Sequence, residues 1–471
     1  FRVTETEDGA WEYKIAAAGQ DVAFRRGERS FREAEAELSA RGRLAMVDGK
    51  PTEITVAEGN LSVPERLAAE IEGQYDLRTR SGGGSAVIRR ADLASVTGWL
   101  ASLGVVSPGD RTLTGTAEGT VSAARDAEGG VSSDGALKVS DARLDGEPLG
   151  REAVEITWKG LQLSGRRLSA ESADVEAGIA TAHVRGLLLD LDNPFRPAGS
   201  IEAEADVPAV RAIAEAFGAN WPKIDAERME LDASFEPAGE EVRGSGTLVL
   251  TEVAVPDRPG LSDPEMRLEY AGTLAPDTRV AELSRLTLNS RPLTLAVSGT
   301  IAHGDGDWPV NLEGRYSGSW EHLMAMLDQV SPGLGRQLSI AGSTGSDISV
   351  VGPVYRKGGE PVFKELRASG PITWDTADLL GVSAGEASFE PRLAEGQLHL
   401  PTHAIDAGGG KLRLGGNVDF RGPVPVYHHT DETRVFQGIE IDEDVSRKLL
   451  SRFNPIFADL AAARGGITLT T

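Results

Sequence analysis

Over most of its length this chain alternates apolar and polar residues with a period of two, the spacing of a strand with one greasy face and one wet face. Leu286-Thr287-Leu288 and Leu293-Thr294-Leu295-Ala296-Val297 flank Asn289-Ser290-Arg291-Pro292 and read as a hairpin. The same alternation runs through Glu155-Ile156-Thr157-Trp158, Leu161-Gln162-Leu163, Leu248-Val249-Leu250 and Lys411 to Phe420.

Helical spacing interrupts this pattern at regular intervals. Asp92, Asp206 and Ser319 stand 114 and 113 residues apart, and each precedes apolar positions one, four, seven and eleven residues on. These are Leu93, Val96, Trp99 and Leu103; Val207, Val210, Ile213 and Phe217; Trp320, Leu323, Met326 and Val330. That is one amphipathic helical face behind one capping residue, written three times. Pro108, Pro222 and Pro332 stop the helices, and Leu113/Gly115, Met229/Leu231 and Leu338/Ile340 reopen strands. A poorer fourth copy starts at Asp442, keeps Leu449 and Phe453, breaks at Pro455 and reaches Ile467 and Leu469.

The spacing divides the chain into a β-rich segment at 1–90, repeats at 91–205, 206–318 and 319–441, and the start of a fourth at 442–471. Repetition at this scale predicts an elongated array built by duplication. One further short helix is expected at Pro64 to Glu72, where Ser62 caps, Glu65 completes a capping box and Gly73 terminates. Gly82-Gly83-Gly84 and Gly408-Gly409-Gly410 read as turns. The fold class is therefore mainly β with short α-helices, a curled antiparallel sheet carrying one amphipathic helix per repeat.

A helix of about 12 residues spans roughly 18 Å, while a repeat of this length holds many short strands. The helices leave much of the aliphatic face uncovered. Either the sheet curls until its inner side chains meet in a filled core, or it stays half open and its floor takes a ligand. Aromatic residues make up 5% of the chain and glycine numbers 56, so any cover is thin and aliphatic.

The 72 acidic and 48 basic residues give a net charge of −24, which repels nucleic acid and anionic headgroups. There is no cysteine, which removes disulfides, thiolate catalysis and Cys-based metal sites; this fits a Gram-negative periplasm, and many cytosolic chains lack cysteine too. No window approaches the apolar length of a membrane span. The first and last residues fall inside strand-like alternation, which reads as a fragment whose anchor or targeting segment, if any, lies outside it.

Candidate chemistry is sparse. His399 and His403 would converge on a helix, but Pro401 and the flanking alternation favour strand and turn; His428 and His429 lie in a polar loop. No nucleophile elbow, phosphate loop or His-Glu-x-x-His helix occurs. Asp92, Asp206 and Asp442 are explained as caps that accept backbone N–H bonds at the positive end of a helix. Trp99 and Trp320 sit on apolar helical faces and read as packing residues. The sequence assigns no catalytic residue, metal ligand or cofactor, and predicts a non-enzymatic protein.

The run His399-Leu400-Pro401-Thr402-His403-Ala404-Ile405-Asp406-Ala407-Gly408-Gly409-Gly410 leads into a strand ending Gly416-Asn417-Val418-Asp419-Phe420. It resembles the C-terminal region of AsmA-like proteins of Gram-negative envelopes. The helix, proline and "L-x-G" succession, seen as Arg111-Thr112-Leu113-Thr114-Gly115 and, with Ile in place of Leu, as Leu338-Ser339-Ile340-Ala341-Gly342, is similar to the same family, and the likeness covers roughly residues 90 to 471. The resemblance implies a periplasmic β-groove on a protein anchored in the inner membrane. The related TamB-like and bridge-like lipid transfer proteins are thought to conduct phospholipid along such a groove, so phospholipid or another acyl lipid is the implied partner. Inner- and outer-membrane components would be met through regions outside this fragment. Other members are linked to outer-membrane protein assembly, which keeps a filled structural or assembly scaffold as the alternative. Candidate floor residues are Leu286, Leu288, Leu293, Leu295, Val297, Leu412, Leu414, Val418 and Phe420; ordinary packed core is the competing account of each.

Overall fold

The computed structural model describes residues 2–7, 9–26, 29–102, 112–149, 153–193, 195–216, 225–255, 258–304, 306–330, 338–356, 364–379, 381–422, 426–428, 434–452, 456 and 463–470. The protein is mainly β, with 74% of residues in strands and 8% in helices, and its strands form a long antiparallel sheet that does not close. Two compact units divide the chain, Phe1–Pro222 with Arg228–Pro237 and Lys223–Glu227 with Ala238–Thr471. The division falls inside the segment 206–318 that the spacing groups as one repeat.

The first unit is a meander. From Arg2–Glu5 and Trp11–Arg26 to Ala198–Asp206 and Arg228–Ala238, strands that follow one another are hydrogen-bonded antiparallel neighbours, with the short strand Glu147–Pro148 attached only to Val131–Leu144. Tight turns make this possible. Val47 and Lys50 pair directly across Asp48-Gly49, whose φ angles of 51° and 75° are those of the turn that matches the right-handed twist of flanking strands.

Helix α1 (Leu93–Ser102), helix α2 (Val207–Ala216) and helix α3 (Trp320–Val330) each leave the end of one strand, and the chain returns as that strand's antiparallel neighbour. The residues at these exits pair as Asp92 with Thr116, Asp206 with Arg228 and Ser319 with Ser343. Three caps act as the sequence requires. The backbone N–H of Ser95 donates to Asp92 Oδ1 at 2.8 Å, that of Ala209 to Asp206 Oδ1 at 3.2 Å, and that of Val445 to Asp442 Oδ1 at 2.8 Å, the last opening helix α4 (Glu443–Lys448). Strands do reopen at Leu113, Arg228 and Leu338. Leu103, Phe217, Phe453 and the prolines Pro108, Pro222, Pro332 and Pro455 lie outside the described residues, as do the side chains of Ile213, Met326 and Val330.

Helix α1 covers a small core of Ala91, Ala117, Val139, Ala142 and Val154 with Leu93 and Val96. Trp99 stacks on Phe31 with ring centroids 5.3 Å apart, and its Nε1–H donates to Glu33 Oε1 at 2.6 Å. Glu33, buried, also accepts two 2.9 Å bonds from Arg66 Nη1. A buried carboxylate thus ties the helix, a turn and a strand together.

Two expectations fail in this unit. Pro64 to Glu72 is not a helix: Pro64 to Arg66 form a turn in which Glu65 has φ of 61°, and Leu67–Asp76 is a strand paired on both sides. Ladder bonds to two neighbours outweigh a local capping pattern. Gly82 to Gly84 are not a turn but lie in the strand Ser81–Asp92. They are glycine because a Cβ on Gly82 would stand 2.3 Å from the Gln74 carbonyl oxygen, and one on Gly84 2.5 Å from that of Glu72.

The second unit begins as another meander, Glu241–Val255, Arg258–Ala275, Val280–Asn289, Leu293–Ala302 and Asp307–Ser319, and continues into Ser343–Arg356. The hairpin at Asn289 to Pro292 is present, and so is the turn at Gly408-Gly409 between Gln397–Ala407 and Gly410–Asp419. A two-stranded sheet, Ile372–Trp374 with Ala387–Phe389, joins α3 and α4 around a core of Trp320, Met324, Trp374, Val382, Ile405, Leu412, Phe436, Ile439, Val445 and Leu449.

Candidate functional site

Strand register turns the alternation into continuous apolar rows that run across the strands. In the first unit Ile15, Ala40, Gly59, Ile71, Ala86, Val121, Gly135, Trp158, Ala173, Val184, Ile201 and Ala233 are successive cross-strand partners. The adjacent row is Ala17, Leu38, Leu61, Ala69, Ile88, Gly119, Leu137, Ile156, Val175, Ala182, Ala203 and Leu231. The opposite face carries Glu118, Lys138, Glu155, Glu176, Thr181, Glu204 and Glu230 in register. There Asp174 Oδ1 is bonded to His183 Nδ1 and Arg185 Nη1, each at 2.7 Å, and these two bonds, that from His183 first, hold its carboxyl below the usual range.

The second unit repeats the arrangement with larger side chains. Leu248, Leu268, Leu288, Leu295 and Tyr316 form one row, and Tyr270, Leu286, Val297, Gly314 and Ile348 the next. A third passes through Gly272, Leu283, Gly299, Leu312, Val350, Ala368, Leu393, Leu398 and Val418. Most members of these rows are half-buried, Val297 being buried. The chain retains 28299 Å² of accessible surface, where two separate compact bodies of half its mass each would expose roughly 20,000 Å² in all. The chain is thus less compact than two such bodies.

An apolar hollow of about 540 Å³ lies on this face of the second unit. Leu293 and Tyr316 on the sheet, Trp320 and Leu323 on α3, and Ile348, Ile372, Pro391, Leu393 and Leu398 line it. Trp320 is held by its Nε1–H donating to the Thr373 carbonyl at 2.6 Å, and the Tyr316 hydroxyl donates to the Pro371 carbonyl.

Of the residues the sequence singles out, Leu286, Leu288, Leu293, Leu295 and Val297 share the apolar face of one hairpin, and only Leu293 reaches the hollow. Val418 belongs to the third row, and Phe420 is half-buried just past its strand. Leu412 is elsewhere: at 1% exposure, opposite Ile405 and Phe436, it is closed core. The side chain of Leu414 lies outside the described residues. Sequence reasoning did not pick out Tyr316, Ile348, Leu393 and Leu398 for this face. Alternation in Asp347-Ile348-Ser349-Val350 and Gln397-Leu398-His399-Leu400 carried the signal.

His399 and His403 stand on one strand, His399 bonded to Asn417 at 2.8 Å, while His428 ends a short strand and His429 lies outside the described residues. Among the described residues no group of His, Asp or Glu is arranged to hold a metal ion. Nor is any described helix long and apolar enough to cross a membrane. Comparison with protein-family models, with curated proteins and with solved structures gives no match.

Proposed function

We propose that this protein is a non-enzymatic envelope protein of the AsmA-like kind, which holds or conducts phospholipid acyl chains on the apolar face of a β-groove. The observation that carries the reading is the set of mostly aliphatic rows continuous across the strands, most of whose members in the second unit are half-buried. An acyl chain laid along such rows leaves water at about 0.8 kcal/mol per buried CH₂. Ala, Val and Leu offer it no fixed polar contact, so chains slide rather than lock, and selectivity among tails is low. The acidic opposite face keeps the sheet in water and turns the apolar side toward lipid. A periplasmic location, and attachment to the inner membrane through a segment outside this sequence, belong to the same proposal.

Native mass spectrometry of the purified protein is expected to find copurified phospholipid, and delipidated protein to take up a fluorescent acyl probe. A folded, delipidated protein that takes up none sinks the reading. The scaffold alternative draws support from one region, the closed core around Leu412 and Ile439. There the interior is filled by the chain itself, so any acyl path on this face stops short of it or passes beside it.

A further inference from the structure

At the strands Arg2–Glu5, Trp11–Arg26 and Arg29–Val47 the polar face of the first unit changes sign. Arg2, Lys14 and Arg41 stand directly opposite one another on these three successive strands, and two residues along, Glu12, Arg43 and Thr55 form the next row of the same face. The two rows line a hollow of about 370 Å³. Register shifts between Arg41 and Gly42 and between Val56 and Gly59 border it, and bulges of this kind bend and twist a sheet. On the other face the Tyr13 ring lies over Gly42, where a Cβ would stand 2.7 Å from Tyr13 Oη, and the Tyr13 hydroxyl donates to the Thr55 carbonyl at 3.0 Å. The backbone that presents Arg41 and Arg43 is therefore pinned from behind.

This charge runs against the rest of the chain, which has 72 acidic and 48 basic residues. Acids stand opposite acids elsewhere on the same face, as at Glu155 and Glu176 or Glu204 and Glu230, and the acidic excess is reason enough for that. Three cations in succession have no such reason. Like charges directly opposite on neighbouring strands repel and destabilise a sheet. Glu58 answers Arg41, and Glu12 is the only carboxylate lining the hollow. Arg2 and Lys14 have no ion pair among the described residues. A row that costs stability in the empty protein is repaid by a bound counter-charge.

We infer that this hollow binds a phosphate-type oxyanion, with Lys14 at its centre and the guanidinium groups of Arg2 and Arg41 on either side. Arginine presents paired N–H donors that match phosphate oxygens, and lysine adds a point charge. Repulsion along the row then gives way to charge-assisted bonds. The site lies on the face opposite the apolar rows and does not depend on the acyl-binding reading. Free phosphate and the phosphate of a lipid headgroup offer the same chemistry, and the test separates them.

The test uses the full chain in two arms at matched ionic strength: calorimetric titration with inorganic phosphate, and sedimentation with phosphatidylcholine vesicles with or without phosphatidic acid. Lys14→Gln is expected to weaken binding about fivefold, the upper range of one exposed charge pair. Arg89→Gln, which removes an exposed partner of Glu70, should leave binding unchanged. Without ligand, Lys14→Gln should raise the urea midpoint, because it relieves the row; a cation with a purely structural role would lower it. Binding of inorganic phosphate without vesicle recruitment supports a soluble phosphate as the ligand, and recruitment confined to phosphatidic acid vesicles supports a headgroup. No binding in either arm overturns the inference. Equal binding by wild type and Lys14→Gln does so too, as does a urea midpoint that falls in Lys14→Gln. Uptake of an acyl probe is unaffected by any of these outcomes, so the acyl reading stands or falls separately.

Discussion

Leu295 and Leu412 occupy equivalent places in the pattern, each an aliphatic residue alternating with polar neighbours along a strand, yet they live in different surroundings. Leu295 lies in a half-buried row between Leu288 and Tyr316, while Leu412, between its cross-strand partners Ile405 and Phe436, is buried in the core shared with Trp374, Val445 and Leu449. The difference lies in what the rest of the chain lays over the strand. Around Leu412 the chain supplies Trp374 and Ala387 from the two-stranded sheet and Val445 and Leu449 from the α4 region; Leu295 is not among the residues of that core. One sheet can therefore carry closed core at one end of a unit and half-buried apolar rows at another.

The largest effect that tests this contrast is expected from Leu412→Glu. It buries an unpaired charge, and a loss above about 4 kcal/mol, seen as an early or missing thermal transition of the second unit, follows from the desolvation cost. A melt close to wild type would mean that the core around Leu412 is not closed.

Next comes Glu33→Ala in the first unit. It leaves Arg66 and the Trp99 indole N–H without their buried acceptor, and a cost of about 2–3 kcal/mol in urea unfolding is expected. Hydrogen exchange should quicken in α1 before it does in the strands; uniform exchange would argue against the tie.

Leu295→Glu should cost no more than about 1 kcal/mol, because its side chain can keep its charge in water. The same change should remove uptake of a fluorescent acyl probe. Unfolding in place of that loss would move Leu295 into the class of Leu412. Asp206→Ala, with its cap bond gone, is expected to cost about 1 kcal/mol at most, read as lost helicity by circular dichroism.

The smallest effect is a slope in pH. The carboxyl of Asp174 is held below its ordinary value of 3.8 by His183 and Arg185. A depressed folded-state value means that the contribution is complete above pH 3.8 and is lost as pH falls through the lower, folded-state value. Urea midpoints below pH 4 should therefore fall more steeply in the wild type than in Asp174→Asn; parallel curves would remove Asp174 from the account.

Much of the local structure was legible. The hairpin at Asn289 to Pro292, the strands reopening at Leu113 and Leu338, and the caps at Asp92, Asp206 and Asp442 all follow from residues within one turn or one strand of each other. The failures are equally local in form. Ser62 to Gly73 satisfies a helix-start pattern, and Gly82 to Gly84 a turn pattern, but each is overruled by neighbouring strands that bond to it from both sides. The apolar hollow was half legible: Leu293 was chosen from its alternation, whereas Tyr316, Trp320 and Leu398 converge on it from strands and a helix far apart in the chain.

The sequence by itself determined which side of a strand each residue takes and where the helices begin, because alternation and capping are properties of a few consecutive residues and their backbone. Which apolar residues are roofed and which remain open was decided only by the tertiary structure. A roof is built by segments distant along the chain, and whether they reach a given strand depends on the register and layering of the whole unit.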